Sequence, residues 1–324
     1  MNYPYYGNFK IYIHGLIEQK HSLGYPYNTS ARILRMFDEY CMKYFPKGHT
    51  LNRDIAMGWA SLKEDEHPNG LLRRITPVRQ LAKYMNSIGI EAYVIPPKVP
   101  KKQIRYVPHI FTGRELSAFF QAIDACQPSP FSPGRHLVIP VLFRLLYCCG
   151  MRSSEARLLY TTDVDLEAGT VFIRESKGHK DRILYLSDEV LHLCKVYDKR
   201  IQSYYPDRIA FFPNQQGSFY NKSMIDCWFH LYWDNLSDAK KCKGNPARVH
   251  DFRHTFSVNL LNKWVTEGKD INAYLPYLSM YLGHANQADT DYYLHLVPEF
   301  FPIFRDKSRK MSENLLPEVD YEVY

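Results

Sequence analysis

The sequence predicts a mainly α-helical chain with one small antiparallel β-sheet, divided into an N-terminal helical domain and a C-terminal α+β domain. Three observations carry that prediction. Apolar residues recur at helical spacing through most of both halves. The runs Thr170–Glu175 and Arg182–Leu186, rich in Val, Ile, Phe and Tyr, flank a Lys-Gly-His-Lys turn. Between the halves stands Ile95-Pro96-Pro97-Lys98-Val99-Pro100-Lys101-Lys102-Gln103, whose prolines favour extended backbone. A chain of 324 residues is long for one core and comfortable for two. The expected organisation is a domain over 1–95, a basic linker over 96–108, and a second domain over 109–324 with a tail from about 298.

In the first domain, Ile13, Leu16 and Ile17 mark a helix ending near Gly24. Thr29 or Ser30 is expected to cap a second helix, which carries Leu34, Phe37, Cys41 and Tyr44 until Pro46. A short third fits Asp54 to Leu62. The fourth starts near Leu71, aligns Ile75, Val78, Leu81, Met85 and Ile88, and stops at Gly89, with Pro77 as a point of kink or restart. Its polar side is expected to hold Arg73, Arg74, Arg79 and Lys83.

The second domain opens at Thr112, which with Glu115 forms a capping-box pattern ahead of Leu116, Phe119 and Phe120. Leu137 to Cys149 reads as a buried helix broken by Gly150. The two strands make a hairpin with Lys177 near its tip. Helical patterns resume at Asp188 to Tyr204, Ser223 to Asn235, Val249 to Trp264 and Asn272 to Leu282.

Composition excludes several classes. A hydrophobic content of 45% with 15% aromatic residues belongs to a folded globular chain, and no run of 18 apolar residues could span a bilayer. The first residues lack the pattern of a secretory signal, so a cytoplasmic location is expected. Seven cysteines without Cys-x-x-Cys spacing indicate neither a disulfide framework nor a zinc site, and no cofactor or metal is expected. Residues 1–107 hold 16 Lys and Arg against 8 Asp and Glu, and the rest of the chain holds 25 against 26. The excess charge is N-terminal, as suits a domain that grips a polyanion, although a solvated basic face has the same composition.

The chemistry-bearing words lie in the second domain. Gly150-Met151-Arg152-Ser153-Ser154-Glu155 and Ser176-Lys177-Gly178-His179-Lys180 precede His250-Asp251-Phe252-Arg253, Leu282-Gly283-His284 and Tyr292-Tyr293. Two arginines, two histidines and a lysine are cationic donors suited to the non-bridging oxygens of a phosphodiester. Fixed donors aimed at charge that grows on an attacked phosphate lower the barrier without a metal. A tyrosine hydroxyl is a poor nucleophile until a base and nearby positive charge favour the phenolate.

The order and spacing of these words resemble the tyrosine recombinase, or phage integrase, family. Arg152 to Lys177 is 25 residues, His250 to Arg253 is 3 and His284 to Tyr293 is 9. The resemblance is close over roughly residues 110–297 and is one of pattern alone before that. It implies a helical core-binding domain that closes half of a clamp around duplex DNA, followed by a catalytic domain. Arg152 and Arg253 would hold phosphate oxygens, with Glu155 orienting the first or a neighbouring basic residue. Lys177 would protonate the leaving 5′ oxygen, with Lys180 as competitor. His250 would accept the tyrosine proton or donate to the phosphate, His284 would donate to the phosphate, and Tyr293, rather than Tyr292, would attack to form a 3′-phosphotyrosyl link. His254, about 100° around the helix from Arg253, is read as structural.

Arg73, Arg74, Arg79, Lys83, Lys98, Lys101 and Lys102 are the expected DNA contacts. The implied partners are double-stranded DNA, further copies of the chain forming a tetramer on paired sites, and an accessory DNA-bending protein; no membrane is expected. The implied role is that of a site-specific recombinase, as integrase or transposase of a mobile element or in chromosome resolution. A catalytically silent DNA-binding protein and a type IB topoisomerase-like relaxing enzyme are the rivals. The apolar residues of the tail, Phe300, Phe301, Ile303 and Phe304, suit docking on a neighbouring copy or on the tail's own domain.

Overall fold

The computed structural model describes residues 3–64, 66–100, 106–176, 180–237 and 246–296. Lys101, Lys102, Lys177 and the tail from 297 lie outside those residues, as do the side chains of 175, 176 and 180. The architecture is mainly α with a three-stranded antiparallel sheet. The chain forms two compact units, one up to Tyr106 and one from Val107. Among the described residues no helix is long and apolar enough to cross a membrane.

In the first unit α1 (Lys10–Ser22), α2 (Asn28–Tyr44), α3 (Arg53–Trp59) and α4 (Pro68–Ser87) bury one apolar face each around Phe9, Leu34, Phe37, Trp59, Ile75 and Leu81. Asp38, 1% exposed, faces this core because it accepts from the backbone of Tyr6 and Gly7, at 2.8 and 3.1 Å, and so ties the N-terminal segment to α2. Neither Thr29 nor Ser30 caps α2. The helix begins at Asn28 after Tyr27, whose left-handed backbone (φ 49°) turns the chain. The third helix ends at Trp59, and Leu62 is exposed. Helix α4 starts before Leu71 because Pro68 suits a first turn and His67 Nδ1 accepts from Asn69 N at 3.1 Å. Pro77 neither stops nor restarts it. Ile88 lies beyond its last turn and is half exposed.

Two of the four basic residues assigned to the polar side of α4 are placed otherwise. Arg74 is 8% exposed; it pairs with Glu66 at 2.6 Å, donates to the carbonyls of Trp59 and Ser61, and lies over the Trp59 ring. Its position, one turn before Val78 and next to Ile75, turns it inward, where a charge must be paired. Arg79 is half buried and donates to the carbonyls of Ile95, Pro96 and Val99 at 2.8 to 3.1 Å, fastening the proline-rich segment to the helix. Arg73, Lys83 and Lys98 are exposed.

In the second unit the Thr112–Glu115 capping box starts α5 (Gly113–Asp124). Helices α6 (Arg135–Cys148) and α7 (Ser153–Arg157) lead to the sheet, in which β2 (Thr170–Ser176) pairs with both β1 (Val164–Asp165) and β3 (Lys180–Tyr185). Then follow α8 (Asp188–Gln202), α9 (Lys222–Trp233), α10 (Asp251–Thr266), α11 (Ile271–Leu282) and α12 (Ala288–Asp291). The core is aromatic. Phe252 stacks on Phe111 at 4.7 Å and meets Phe119, Phe143 and Phe229 edge-on or tilted. Thr255 Oγ1 accepts from Phe111 N at 3.0 Å and donates to Asp251 O at 2.8 Å, which fixes α10 against the start of the unit.

Candidate active site

The site is built on the C-terminus of α11. Helix ends leave backbone carbonyls without intrahelical partners. Here Gly283, in the left-handed conformation (φ 64°), reverses the chain so that Gly283 N and His284 N return to the carbonyls of Met280 and Ser279. The next three carbonyls each receive an arginine. Arg182 Nε donates to Tyr281 O at 2.8 Å, Arg253 Nη2 to Leu282 O, and Arg152 Nη2 to Gly283 O at 2.9 Å. The negative end of a helix dipole thus faces three guanidiniums whose mutual repulsion it offsets.

Glu155 offsets the rest. Arg152 is the N-cap of α7, and its backbone N and Nη1 donate to the two oxygens of Glu155 at 2.8 and 2.7 Å. Arg182 forks onto the same carboxylate at 2.9 and 2.8 Å. Burial pushes the Glu155 carboxyl up, but Arg182 and Arg152 outweigh it and hold the pKa at about 2. Arg253 is 1% exposed and spans Gly150 O and Leu282 O, so the glycine break before α7 and the end of α11 share one side chain. Burial and the neighbouring Arg152 lower its pKa to about 10.

His250 stands at the N-cap of α10, one turn before Arg253. Its exposed face opens on a cleft of about 620 Å³ whose lining includes Arg152, Arg157, Lys222 and Arg248. Enclosure on its protein side, then His254 and the guanidiniums of Arg253, Arg248 and Arg152, lower its pKa, so the ring is neutral at neutral pH. His284 Nδ1 lies 2.7 Å from Thr290 Oγ1, and its ring stacks on Tyr293 at 6.2 Å with 19° between planes. Tyr293 is 2% exposed, packed with Val258, Leu261, Leu278 and Leu282.

The structure therefore gathers Arg152, Glu155, His250, Arg253, His284 and Tyr293. Arg182 and Thr290 are additions. Arg182 had a signal in the sequence: it lies two residues before Leu184 on β3, hence on the same buried strand face, and an inward arginine must be paired. His254, read as structural, instead puts its ring 4.8 Å from that of His250 and 5.5 Å from that of Tyr293.

Comparison with known proteins identifies the family. Residues 111–299 match the phage integrase family. The integrase/recombinase y4rE of Sinorhizobium fredii is 32% identical over 292 residues, covering 86% of this chain and 88% of that one. The tyrosine recombinase XerA of Thermococcus kodakarensis is 28% identical, covering 89% and 93%. The fold is similar to that of the XerH site-specific recombinase in its post-cleavage complex with difH DNA, with a TM-score of 0.62 and 20% identity over 87% of this chain and 78% of that one. It is similar as well to the Tn1549 transposon integrase bound to transposon right-end DNA, with a TM-score of 0.62 and 15% identity over 94% and 99%. A family match over most of the catalytic unit and a relative above 30% identity along nearly the whole chain lead to one conclusion: this chain is a member of the phage integrase family of tyrosine recombinases.

Proposed function

We propose that the chain is a site-specific DNA recombinase that cuts and rejoins strands through a 3′-phosphotyrosyl link on Tyr293, without a metal. The observation that carries this reading is the convergence of Arg152, Arg253, His250 and His284 around one tyrosine. In this reading Arg152 and Arg253 bind the non-bridging oxygens of the scissile phosphate, which the cleft beside His250 admits. His284 adds a third donor, and Lys177 protonates the 5′ oxygen as it leaves. The tyrosyl ester keeps the energy of the bond, so a second 5′ hydroxyl can displace it without ATP. Exchange between two duplexes then takes four copies of the chain, each cutting one strand. The solved lambda integrase tetramer bound to a Holliday junction supports that stoichiometry by analogy of fold.

The first unit is proposed to grip DNA through Arg73, Lys83, Lys98, Lys101 and Lys102, while Arg74 and Arg79 keep the unit together. The relatives named as integrases, and the transposon integrase among the fold neighbours, favour a role in a mobile element. One observation favours the silent DNA-binding alternative: Tyr293 is 2% exposed and must turn outward to meet a phosphate.

Nicked suicide substrates built from the borders of the gene's own element separate the two. A covalent adduct mapped to Tyr293, lost in Tyr293→Phe with DNA binding retained, is the expected result. Specific binding with no adduct would establish the silent reading; on supercoiled plasmids carrying the site, relaxed rather than recombinant products would establish the topoisomerase-like one.

A further inference from the structure

His254 is placed where the motif alone gave it no part. It follows Arg253 on α10, yet its ring lies between two residues of the site, edge-on to His250 at 4.8 Å and tilted against Tyr293 at 5.5 Å, with Tyr292 at 6.3 Å. His250 reaches the open cleft and His254 reaches the tyrosine. The Nδ1 atom of His254 is enclosed and has no hydrogen-bond partner among the described residues. Enclosed polar atoms are nearly always paired, so an unpaired nitrogen on a ring packed against a buried tyrosine needs a reason. A reaction in which that nitrogen gains a proton supplies one.

We propose that His254 is the proton acceptor for Tyr293 during strand cleavage, which leaves His250 to face the phosphate. The step rests on the recombinase reading above. The Tyr293 hydroxyl proton passes to the His254 imidazole as the phenolic oxygen bonds to phosphorus; the bond from phosphorus to the 5′ oxygen breaks, and that oxygen takes a proton from the general acid. In rejoining, the new 5′ hydroxyl attacks phosphorus and gives its proton back to the general acid, the bond from phosphorus to the phenolic oxygen breaks, and the imidazolium returns its proton to that oxygen.

The groups facing His254 set when it can act. Burial holds its pKa down, to about 4; Asp251 raises it, while Arg248 and Arg253 lower it, and His250 and the two tyrosines complete the surroundings. The ring is therefore neutral and able to accept, but weakly basic, while the site is empty. A phosphate bound by Arg253 brings negative charge next to the ring and raises its basicity towards the working pH, where general bases are most effective. The substrate thereby switches on the base that deprotonates its attacker.

The test measures single-turnover adduct formation on nicked suicide DNA with the full chain, for the wild type, His254→Gln and His254→Ala, from pH 6 to 9, with gel-shift binding as the control for folding. Loss of a positioned base is expected to slow cleavage by about 10²- to 10⁴-fold. Relative to the wild type, the variants' rates should climb about tenfold per pH unit as hydroxide takes the place of the missing base, and added imidazole should restore part of the rate in His254→Ala. Cleavage at the wild-type rate overturns the proposal. So does a slow variant whose pH profile keeps the wild-type shape and which imidazole does not help, because packing alone would do that. If the wild type itself forms no adduct, the recombinase reading fails first and this one with it.

Discussion

Arg152 donates through Nη2 to the carbonyl oxygen of Gly283 at 2.9 Å, joining the cap of α7 to the residue at which α11 ends. Arg253 and Arg182 do the same for the two preceding carbonyls. Three guanidiniums cannot be gathered in a poorly hydrated site without compensating negative charge. The helix end and Glu155 supply it. Arg152, which lines the cleft, is thereby held in place before any phosphate enters.

That arrangement makes stability depend on the charge of Glu155. Its pKa is about 2 in the fold and about 4.3 in an unfolded chain, so the carboxylate stabilises the fold fully above that unfolded value. The contribution disappears as pH falls from about 4.3 through about 2. With the side chain 5% exposed, the shift is equivalent to about 3 kcal/mol. Urea midpoints between pH 6 and 2.5 should drop steeply for the wild type and less for Glu155→Gln, which is less stable than the wild type at pH 6. Parallel curves for the two proteins would show that Glu155 titrates alike in both states.

Gly150 has a positive φ of 58°, and an added Cβ would fall 2.5 Å from the Phe256 ring. Gly150→Ala should therefore cost about 1 to 3 kcal/mol and displace the carbonyl that holds Arg253 Nη1. A lowered melting temperature together with slowed cleavage is expected. Lost stability with an unchanged cleavage rate would mean that Arg253 keeps its aim without Gly150.

How far the sequence reveals this molecule follows from which signals are local. Helix periodicity, the Thr112 capping box and the hairpin pattern are written in neighbouring residues, and those elements form within a few residues of the expected bounds. The motif words likewise mark Arg152, Arg253 and His284. What fills the space between elements is not local. Whether Arg74 points to solvent depends on Glu66 and Trp59 across the fold, and Arg182 becomes part of the site only because Glu155 lies opposite it. The nearness of His254 to Tyr293 was hidden for a related reason. Angle around α10 separates it from Arg253, but the chain after α12 returns Tyr293 to that side.

Arg74 and Arg73 should accordingly behave in opposite ways. Arg74→Ala removes the partner of a largely buried Glu66 and three carbonyl or ring contacts, which is expected to cost about 3 to 5 kcal/mol. Arg73→Ala and Lys83→Ala should leave thermal stability within about 0.5 kcal/mol of the wild type and reduce the salt dependence of DNA binding by roughly one counterion each. Melting curves paired with binding isotherms at several salt concentrations read both effects. A salt slope unchanged by both exposed substitutions would remove this face of α4 from the DNA contact.

Thr290 tests whether His284 needs orientation as well as presence. The hydroxyl is fully buried and lies 2.7 Å from His284 Nδ1. Thr290→Val keeps the shape and removes this partner, while the stacking on Tyr293 stays. Cleavage on nicked substrates should fall about tenfold, equivalent to about 1.4 kcal/mol of barrier, with DNA binding unchanged. His284→Ala should fall further, by about 10²- to 10³-fold, because it removes the donor itself. Equal losses in the two variants would mean that a misaligned His284 is no better than none, and a wild-type rate in Thr290→Val would mean that His284 keeps its alignment without the Thr290 hydroxyl.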